Sequence, residues 1–282
     1  MSTIFDSHCH PQFPQYDKDR EEMIARAKGA GVSMICVGTD LNTSKKGIEL
    51  AQKHEGMWAT VGAHPNDIES VHQVESSSGL SSKLYELYEL EKLLTQPKVV
   101  AIGEVGLDYY RTPEPEKQKK QKEIFEQFID LARRTKKPMV LHFRDSPKGS
   151  SGKVHKDALE ILPKDISGVS HSFTGNLEEA KEYLNRGIYL GFNGIITFPP
   201  SRKATAGTVP GMYDEVVKYT PLEQILLETD APFLTPEPYR GKRNESVYVI
   251  EVAKKIAELK NESLEKVMEI TTKNCQKLFK LV

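Results

Sequence analysis

The sequence predicts an α/β fold, a (β/α)8 TIM barrel that forms one domain over residues 1–282 and ends in an extra C-terminal helix. Short apolar segments of strand length alternate with amphipathic segments along the chain, which is typical of a parallel sheet. Eight such units in about 250 residues match the size of a closed β/α barrel. A doubly wound open sheet is the alternative. Its dinucleotide-binding form has no support, because no Gly-x-Gly-x-x-Gly follows the first apolar segment.

The predicted strands are apolar runs that stop at polar or turn-forming residues. The first begins at Ile4 and breaks off in Asp-x-His-x-His, and the fourth, residues 99–103, runs into Glu104. Polar residues at the ends of these runs are the first sign of a functional site. The other predicted strands are residues 33–38, 58–62, 138–141, 168–170, 188–192 and 224–227.

The segments between the strands carry apolar residues at helical spacing. In the first of them, Met23, Ile24 and Ala27 form an apolar face, and Gly31 follows as a stop signal. We also expect a serine-rich surface insertion at residues 76–82 and a loop rich in Pro, Ser and Gly at residues 199–211. The predicted helices are residues 17–30, 43–53, 83–95, 116–136, 153–162, 177–186, 212–219, 245–259 and 262–281.

Composition limits the classes of function. Apolar residues make up 38% of the 282 residues and the formal net charge is −1, so we expect a soluble globular protein without a global field for polyanions. The three cysteines form no Cys-x-x-Cys pair, which favours a reducing compartment. The sequence contains no signal segment and no apolar run of membrane-spanning length. These features predict a cytoplasmic protein without a membrane partner, with the nucleus as a second possible location. We also expect a monomer, although these features do not determine the oligomeric state.

Ionisable residues stand where the predicted strands end. Asp6, His8 and His10 alternate on the first strand, so their side chains are expected on one face. The carboxyl ends of the strands in a β/α barrel converge on one rim, where the active site lies. Five further residues therefore join this set, namely His64, Glu104, His142, His171 and Asp230.

Imidazoles and carboxylates in such a cluster favour divalent cations. The imidazoles and carboxylates of this set outnumber the three protein ligands of a catalytic zinc, and they suit two cations with one bridging carboxylate. Glu104 lies between the two halves of the set in the sequence, so it is the expected bridge. The ligand types do not distinguish Mg²⁺, Mn²⁺, Zn²⁺ and iron.

Seven motifs in order resemble those of the TatD family of metal-dependent deoxyribonucleases, within the amidohydrolase superfamily. The resemblance implies a β/α barrel, two divalent metal ions and hydrolysis of DNA phosphodiester bonds, with single strands or 3′ ends as the substrate. Ser146, Ser172 and Ser246 depart from the family pattern without removing a ligand. The motifs are Asp6-x-His8-x-His10, Gly62-x-His64-Pro65, Gly103-Glu104-x-Gly106-Leu107-Asp108-Tyr109, His142-x-Arg144-Asp145, His171-Ser-Phe-Thr-Gly175, Glu228-Thr229-Asp230-Ala-Pro232 and Arg240-Gly-Lys-Arg-Asn244.

The resemblance also implies roles for single residues. Glu104 and Asp230 are the expected catalytic carboxylates, and Asp230 would orient a water molecule or accept its proton. Glu228 would tune Asp230, while His64, Arg144 and Asp6 would contact the phosphate or support the ligands. Apart from the resemblance, the basic segment from Arg240 to Arg243 follows the eighth strand on the catalytic side, so it is expected either to contact a phosphate or to form a structural ion pair. The implied metal ligands are His8, His10, Glu104, His142, His171 and Asp230.

Several other residues receive structural interpretations. Cys9 is expected in the core, and the basic residues near the helix at 116–136 are expected on a solvated outer face. Tyr109 and Tyr110 would either stack on a base or pack at the rim. His54, His72 and His155 lie away from the strand ends and are expected at the surface.

The leading hypothesis is a metal-dependent deoxyribonuclease that acts as a 3′-5′ exonuclease. The alternative keeps the site but changes the bond, to a metal-dependent ester or amide hydrolase such as a D-aminoacyl-tRNA deacylase. A third hypothesis, a non-catalytic barrel that binds nucleic acid or a protein, predicts the loss of a ligand. The sequence lacks none of them.

Overall fold

The computed structural model describes residues 4–67, 82–146, 153–198 and 213–281. Within them, eight parallel strands form one sheet in chain order from the first strand to the last. The sheet closes through the backbone, because the amide of His10 donates to the carbonyl of Ala231 and the amide of Asp230 donates to that of His8. The strands are β1 (Ile4–Cys9), β2 (Val32–Cys36), β3 (Met57–Val61), β4 (Val99–Asp108), β5 (Met139–Arg144), β6 (Gly168–His171), β7 (Tyr189–Phe192) and β8 (Ile225–Leu227).

Helices follow the strands and cover the outside of the sheet, so the predicted TIM barrel is confirmed. The extra C-terminal helix is also present, as the last helix of the described chain. The predicted loop at residues 199–211 and nearly all of the insertion at residues 76–82 lie outside the described residues. The helices are α1 (Arg20–Gly29), α2 (Leu41–Lys53), α3 (Ser82–Leu93), α4 (Pro115–Thr135), α5 (Lys153–Ile161), α6 (Leu177–Asn185), α7 (Asp214–Tyr219), α8 (Val249–Lys260) and α9 (Leu264–Phe279).

Two apolar clusters follow from the period-2 alternation of the strands. The larger one lies between the strands and the helices. The smaller one contains Val140, Val169 and Leu226 from alternate positions of β5, β6 and β8, so these side chains point into the barrel. Leu278 and Phe279 of α9 belong to the same cluster and cover the end of the barrel where the strands begin. This packing directs the functional residues to the opposite end.

β4 is longer than the sequence suggests, because it continues past Gly103 to Asp108. Its register against β5 shifts between Ile102 and Val105, and such a bulge redirects the side chain within it, here that of Glu104. Gly103 has a φ of +151°, and a Cβ there would lie 2.6 Å from the Cβ of Val140. Glycine is therefore required for β4 to approach β5 this closely.

Candidate metal centre

The inward-facing core positions continue directly into polar residues near the carboxyl ends of three strands. His142 lies two residues after Val140 on β5, and His171 lies two residues after Val169 on β6. Glu228 lies two residues after Leu226, just beyond β8. Because alternate residues of a strand share a face, the same pattern that fills the barrel core places these three side chains above it.

The first strand contributes two further imidazoles. The Nε2 atoms of His8 and His10 lie 3.2 Å apart, and both side chains are buried. The register of β1 shifts between Asp6 and Cys9, which interrupts the alternation that would place Asp6 beside them. The Asp6 carboxylate instead accepts hydrogen bonds from the backbone N and the Oγ1 of Thr229, at 2.9 and 2.6 Å. Asp6 thus ties β1 to the segment after β8, and its burial raises its pKa to about 7.

Glu104 lies between the imidazoles and uses its two oxygens differently. Its Oε2 is 3.4 Å from the Nε2 of His8. Its Oε1 is 2.7 Å from the Nδ1 of His142 and 3.6 Å from the Nε2 of His171. His64 is on the same side, with its Nε2 3.7 Å from Oε1. The carboxylate therefore connects β1 on one side with β5 and β6 on the other.

Asp230 approaches the group from the end of the barrel. Its Oδ1 is 3.4 Å from the Nε2 of His10 and 3.7 Å from the Nε2 of His8. The side chain is 17% exposed, whereas that of Glu104 is only 5% exposed, so Asp230 is the carboxylate with access to solvent. Its φ of +56° is uncommon for a residue with a side chain, and such conformations occur often at functional sites.

The ligand atoms divide into compact groups in which all atoms lie within 4.8 Å of one another. One group contains His8, His10 and Asp230, and a second contains Glu104, His142 and His171. Together these two groups contain all six residues that the sequence motifs single out as ligands. The structure thus brings the six side chains together in two sets of three.

Two more groups overlap with these sets. They consist of His8, His171 and Glu228, and of His64, Asp108 and His142.

Electrostatics in the centre keep the carboxylates charged. Burial opposes the ionisation of Glu104, but the surrounding imidazoles hold its pKa well below the usual range. Burial also opposes the ionisation of Asp230, and its pKa is nevertheless lowered by His10, His171 and His8. Among the described residues, the ion-pair partners of Glu104, Asp230 and Glu228 are all imidazoles, and none is a Lys or an Arg.

The imidazoles fall into two classes. Burial lowers the pKa of His8, and it lowers the pKa of His64 to about 4, so both rings are neutral at pH 7. Burial also acts against protonation of His142 and His171, but neighbouring carboxylates overcome it and raise their pKa values to about 9 and about 10. Protons on these two rings offset part of the negative charge of the buried carboxylates. A bound cation would offset the same charge.

Glu228 contacts His171 and not Asp230, which differs from the expectation that it tunes Asp230. Its Oε1 is 2.9 Å from the Nδ1 of His171 and accepts a 2.6 Å hydrogen bond from the backbone amide of Ser172. The amide side chain of Asn193 donates to the same oxygen and to the Oγ of Ser172. Glu228 therefore orients the His171 ring, as carboxylates commonly do behind metal-binding histidines.

Asp108 is a site residue that the sequence analysis did not assign. Its Oδ2 is 3.3 Å from the Nε2 of His142 and accepts a 2.8 Å hydrogen bond from the side chain of Asn66. The backbone amide of Arg111 donates to its other oxygen. The residue belongs to the Gly103 to Tyr109 motif. The predicted fourth strand ends at Gly103, five residues before Asp108, so the sequence pattern does not place Asp108 at the rim.

Aromatic and basic side chains surround the centre. The guanidinium of Arg144 lies 4.0 Å from the centre of the Tyr110 ring, which is 38% exposed. Arg144 is itself exposed, and among the described residues no carboxylate forms an ion pair with it. Tyr109 is buried and its hydroxyl donates to Asp157, so of the two interpretations offered for it, packing is correct.

The two arginines of the basic motif after β8 make different contacts. Arg243 forms ion pairs with Asp19 and Glu245, which supports the structural interpretation for this residue. Arg240 instead stacks on Phe198, at 3.8 Å from the ring centre, and donates to the carbonyl of Thr235.

The remaining cysteine, arginine and histidine predictions concern residues away from the metal centre, and one of them is wrong. Cys9 is buried as expected, and Arg133 and Arg134 form exposed ion pairs with Asp165 and Glu91. The expectation that His155 lies at the surface is wrong. It is buried among Phe143, Phe173 and Tyr183, because the apolar face of α5 packs against its neighbours there. His72 lies outside the described residues.

Comparison with known proteins gives a consistent result. The family model described as "TatD related DNase" matches residues 5–280. The uncharacterized metal-dependent hydrolase YabD of Bacillus subtilis is 37% identical over 99% of both chains. A protein of Cronobacter sakazakii named 3′-5′ ssDNA/RNA exonuclease TatD is 33% identical over 98% of this chain and 97% of its own.

A solved structure shares the whole architecture. The crystal structure of YJJV, a TatD homolog from Escherichia coli, superimposes with a TM-score of 0.81 at 27% identity and covers 99% of this chain and 98% of its own. Within the described residues, no helix combines the length and the apolar character needed to cross a membrane.

Proposed function

Since this chain belongs to the TatD family of metal-dependent hydrolases, we propose that it is a deoxyribonuclease that removes nucleotides from the 3′ end of single-stranded DNA with the help of two divalent cations. Glu104 and Asp230 are its catalytic carboxylates. The cations are Mg²⁺, Mn²⁺ or Zn²⁺, since imidazoles and carboxylates together accept all three.

The donor set fits cations on chemical grounds. The Nε2 atoms of His8 and His10 face each other at 3.2 Å, and at most one of them can donate a hydrogen to the other. The lowered pKa of His8 leaves a lone pair free on a buried ring. Buried carboxylates accompany these rings, and buried charges of this kind are normally paired or bind metal ions.

The observation that carries the proposal is the position of Glu104. One of its oxygens faces His8 and the other faces His142 and His171. A carboxylate placed in this way can bridge two cations. His8, His10 and Asp230 would hold one of them, and His142 and His171 would hold the other.

When bound, the two cations would activate a water molecule and stabilise the charge that develops on the phosphate. The residues of the chain provide the remaining parts. Asp230 reaches solvent, so it can orient the attacking water and accept its proton. Arg144 can bind the phosphate, because its side chain is exposed and among the described residues no carboxylate forms an ion pair with it. Glu228 and Asp108 hold the rings of His171 and His142 in place.

The six proposed ligands come from β1, β4, β5, β6 and the segment after β8 of one chain. A second copy is not needed to complete the site, so we propose a monomer that acts as one domain over residues 1–282. The three free cysteines are buried, which fits the reducing environment of the cytoplasm.

The test is an assay on metal-stripped protein that has been refilled with Mg²⁺, Mn²⁺ or Zn²⁺. A 5′-labelled single-stranded DNA oligonucleotide and an aminoacyl-tRNA are supplied in parallel. The proposal predicts a metal-dependent ladder of shortened DNA that Asp230→Asn abolishes. Asp165→Asn is the matched control, because this exposed carboxylate pairs with Arg133 and lies away from the centre. Deacylation with intact DNA would instead establish the ester hydrolase alternative.

A further inference from the structure

Two aromatic side chains, Phe13 and Phe233, form an aromatic corner beside the proposed metal centre, and they provide no ligand to it. The ring of Phe13 stacks on the ring of His10 with their centres 4.4 Å apart. The centres of the Phe233 and Phe13 rings lie 6.3 Å apart and the ring planes meet at an angle of 69°, which is an edge-to-face arrangement. Phe233 is 46% exposed, and Phe13 is half-buried.

The exposure of Phe233 is built into the backbone. Its amide donates a 2.8 Å hydrogen bond to the carbonyl of Asp230. Its carbonyl accepts a hydrogen bond from the side chain of Asn244, which also donates to Thr229 and is buried. The ring is therefore held out to solvent by a fixed turn. Because the ring is exposed, it does not contribute the stabilisation of about 1.5–3 kcal/mol that a fully buried Phe side chain provides.

The strand order places this corner opposite Arg144. Phe13 follows β1 and Phe233 follows β8, while Arg144 ends β5. In a barrel of eight strands in chain order, the β1–β8 edge lies across the rim from β4 and β5. A positive group for a phosphate thus stands on one side of the centre and an uncharged aromatic surface on the other.

We propose that Phe233, with Phe13 behind it, is a platform on which the base next to the cleaved bond stacks. This proposal rests on the proposed nuclease function and adds a determinant of substrate choice. Stacking on an aromatic side chain tolerates any base but requires that the base has left its duplex partner and neighbour. The platform therefore selects an unpaired end, and a fully paired 3′ end is a poor substrate.

The test compares kcat/KM on two single-stranded oligonucleotides that differ only at the 3′ end. One carries normal nucleotides, and the other carries abasic nucleotides at its last two positions. With the normal substrate, Phe233→Ala lowers kcat/KM by about 5- to 150-fold, as expected from the loss of one stacked base. With the abasic substrate, wild type and Phe233→Ala are equally slow. Phe233→Trp keeps the wild-type rate on the normal substrate, whereas Phe233→Leu does not.

Tyr219→Ala is the matched control, because Tyr219 is 50% exposed and ends α7, on the side of the barrel where β8 begins. It leaves kcat/KM unchanged on both substrates. An equal loss in Phe233→Ala on both oligonucleotides, or no loss, overturns the platform while the nuclease function stands. Wild-type protein that cleaves neither oligonucleotide with any metal overturns the nuclease function and the platform together.

Discussion

Gly191 on β7 provides a way to disturb the metal centre without changing any proposed ligand. A Cβ added at this position would lie 2.9 Å from the Cδ of Glu228, which is closer than such contacts normally come. The Glu228 carboxylate would have to move, and it is buried and fixed by Ser172 and His171. Gly191→Ala therefore acts on the centre through the carboxylate that orients His171.

The size of the effect follows from the contacts that would break. Moving the carboxylate removes the hydrogen bond from the Ser172 amide, and bonds to charged groups contribute about 1.5–3 kcal/mol each. We expect Gly191→Ala to lower the free energy of unfolding by about 2 kcal/mol. Loss of the carboxylate behind a metal-binding histidine should also weaken metal affinity by about 10- to 100-fold.

A double-mutant cycle isolates the cause. In a Glu228→Ala background the space is free, so Gly191→Ala should change the free energy of unfolding by less than about 0.5 kcal/mol. Urea unfolding and metal titration calorimetry of the four proteins measure both quantities. Gly29→Ala is the control, because a Cβ there would meet no atom within 4 Å. Equal effects of Gly191→Ala in both backgrounds would refute the proposed action through Glu228.

Three further predictions follow from other contacts. Burial lowers the pKa of His155 from 6.5 to about 4. As the pH falls, the unfolded chain therefore takes up a proton on this ring at a higher pH than the native protein. The stability of the wild type relative to His155→Phe should thus fall by roughly 3 kcal/mol between pH 7 and pH 4 in urea unfolding, and a constant difference would contradict this. Arg144→Ala should lower kcat/KM on DNA by about 10-fold or more and reduce its salt dependence, with partial recovery in Arg144→Lys, and unchanged kinetics would exclude phosphate contact. Tyr109→Phe should cost about 1 kcal/mol of stability through the lost bond to Asp157 and leave nuclease activity unchanged, whereas a loss of activity at full stability would restore a substrate role.

The barrel and the ligand cluster could be predicted from the sequence because both depend on local alternation. Strand residues that alternate between core and helix-facing positions lead directly to His142 and His171, so their placement required no tertiary information. Once eight strands were assigned, the convergence of their ends followed from the fold.

The rest depended on where individual strands shift. The register shift in β1 removes Asp6 from the face of His8, and the bulge in β4 extends that strand to Asp108. Neither shift has a signal in apolar periodicity, although the glycines at 103 and 106 mark the second one. The partner of Glu228 could not be predicted because His171 and Asp230 both lie near it, and the choice depends on how β6 and β8 approach each other.

A crystal structure of the protein grown with Mn²⁺, with an anomalous difference map, tests the central claim most directly. Two peaks are expected about 3.5–4 Å apart, with the Glu104 carboxylate between them. One peak should be surrounded by His8, His10 and Asp230, and the other by His142 and His171. A single peak, or a pair of peaks that Glu104 does not join, would contradict the two-cation centre.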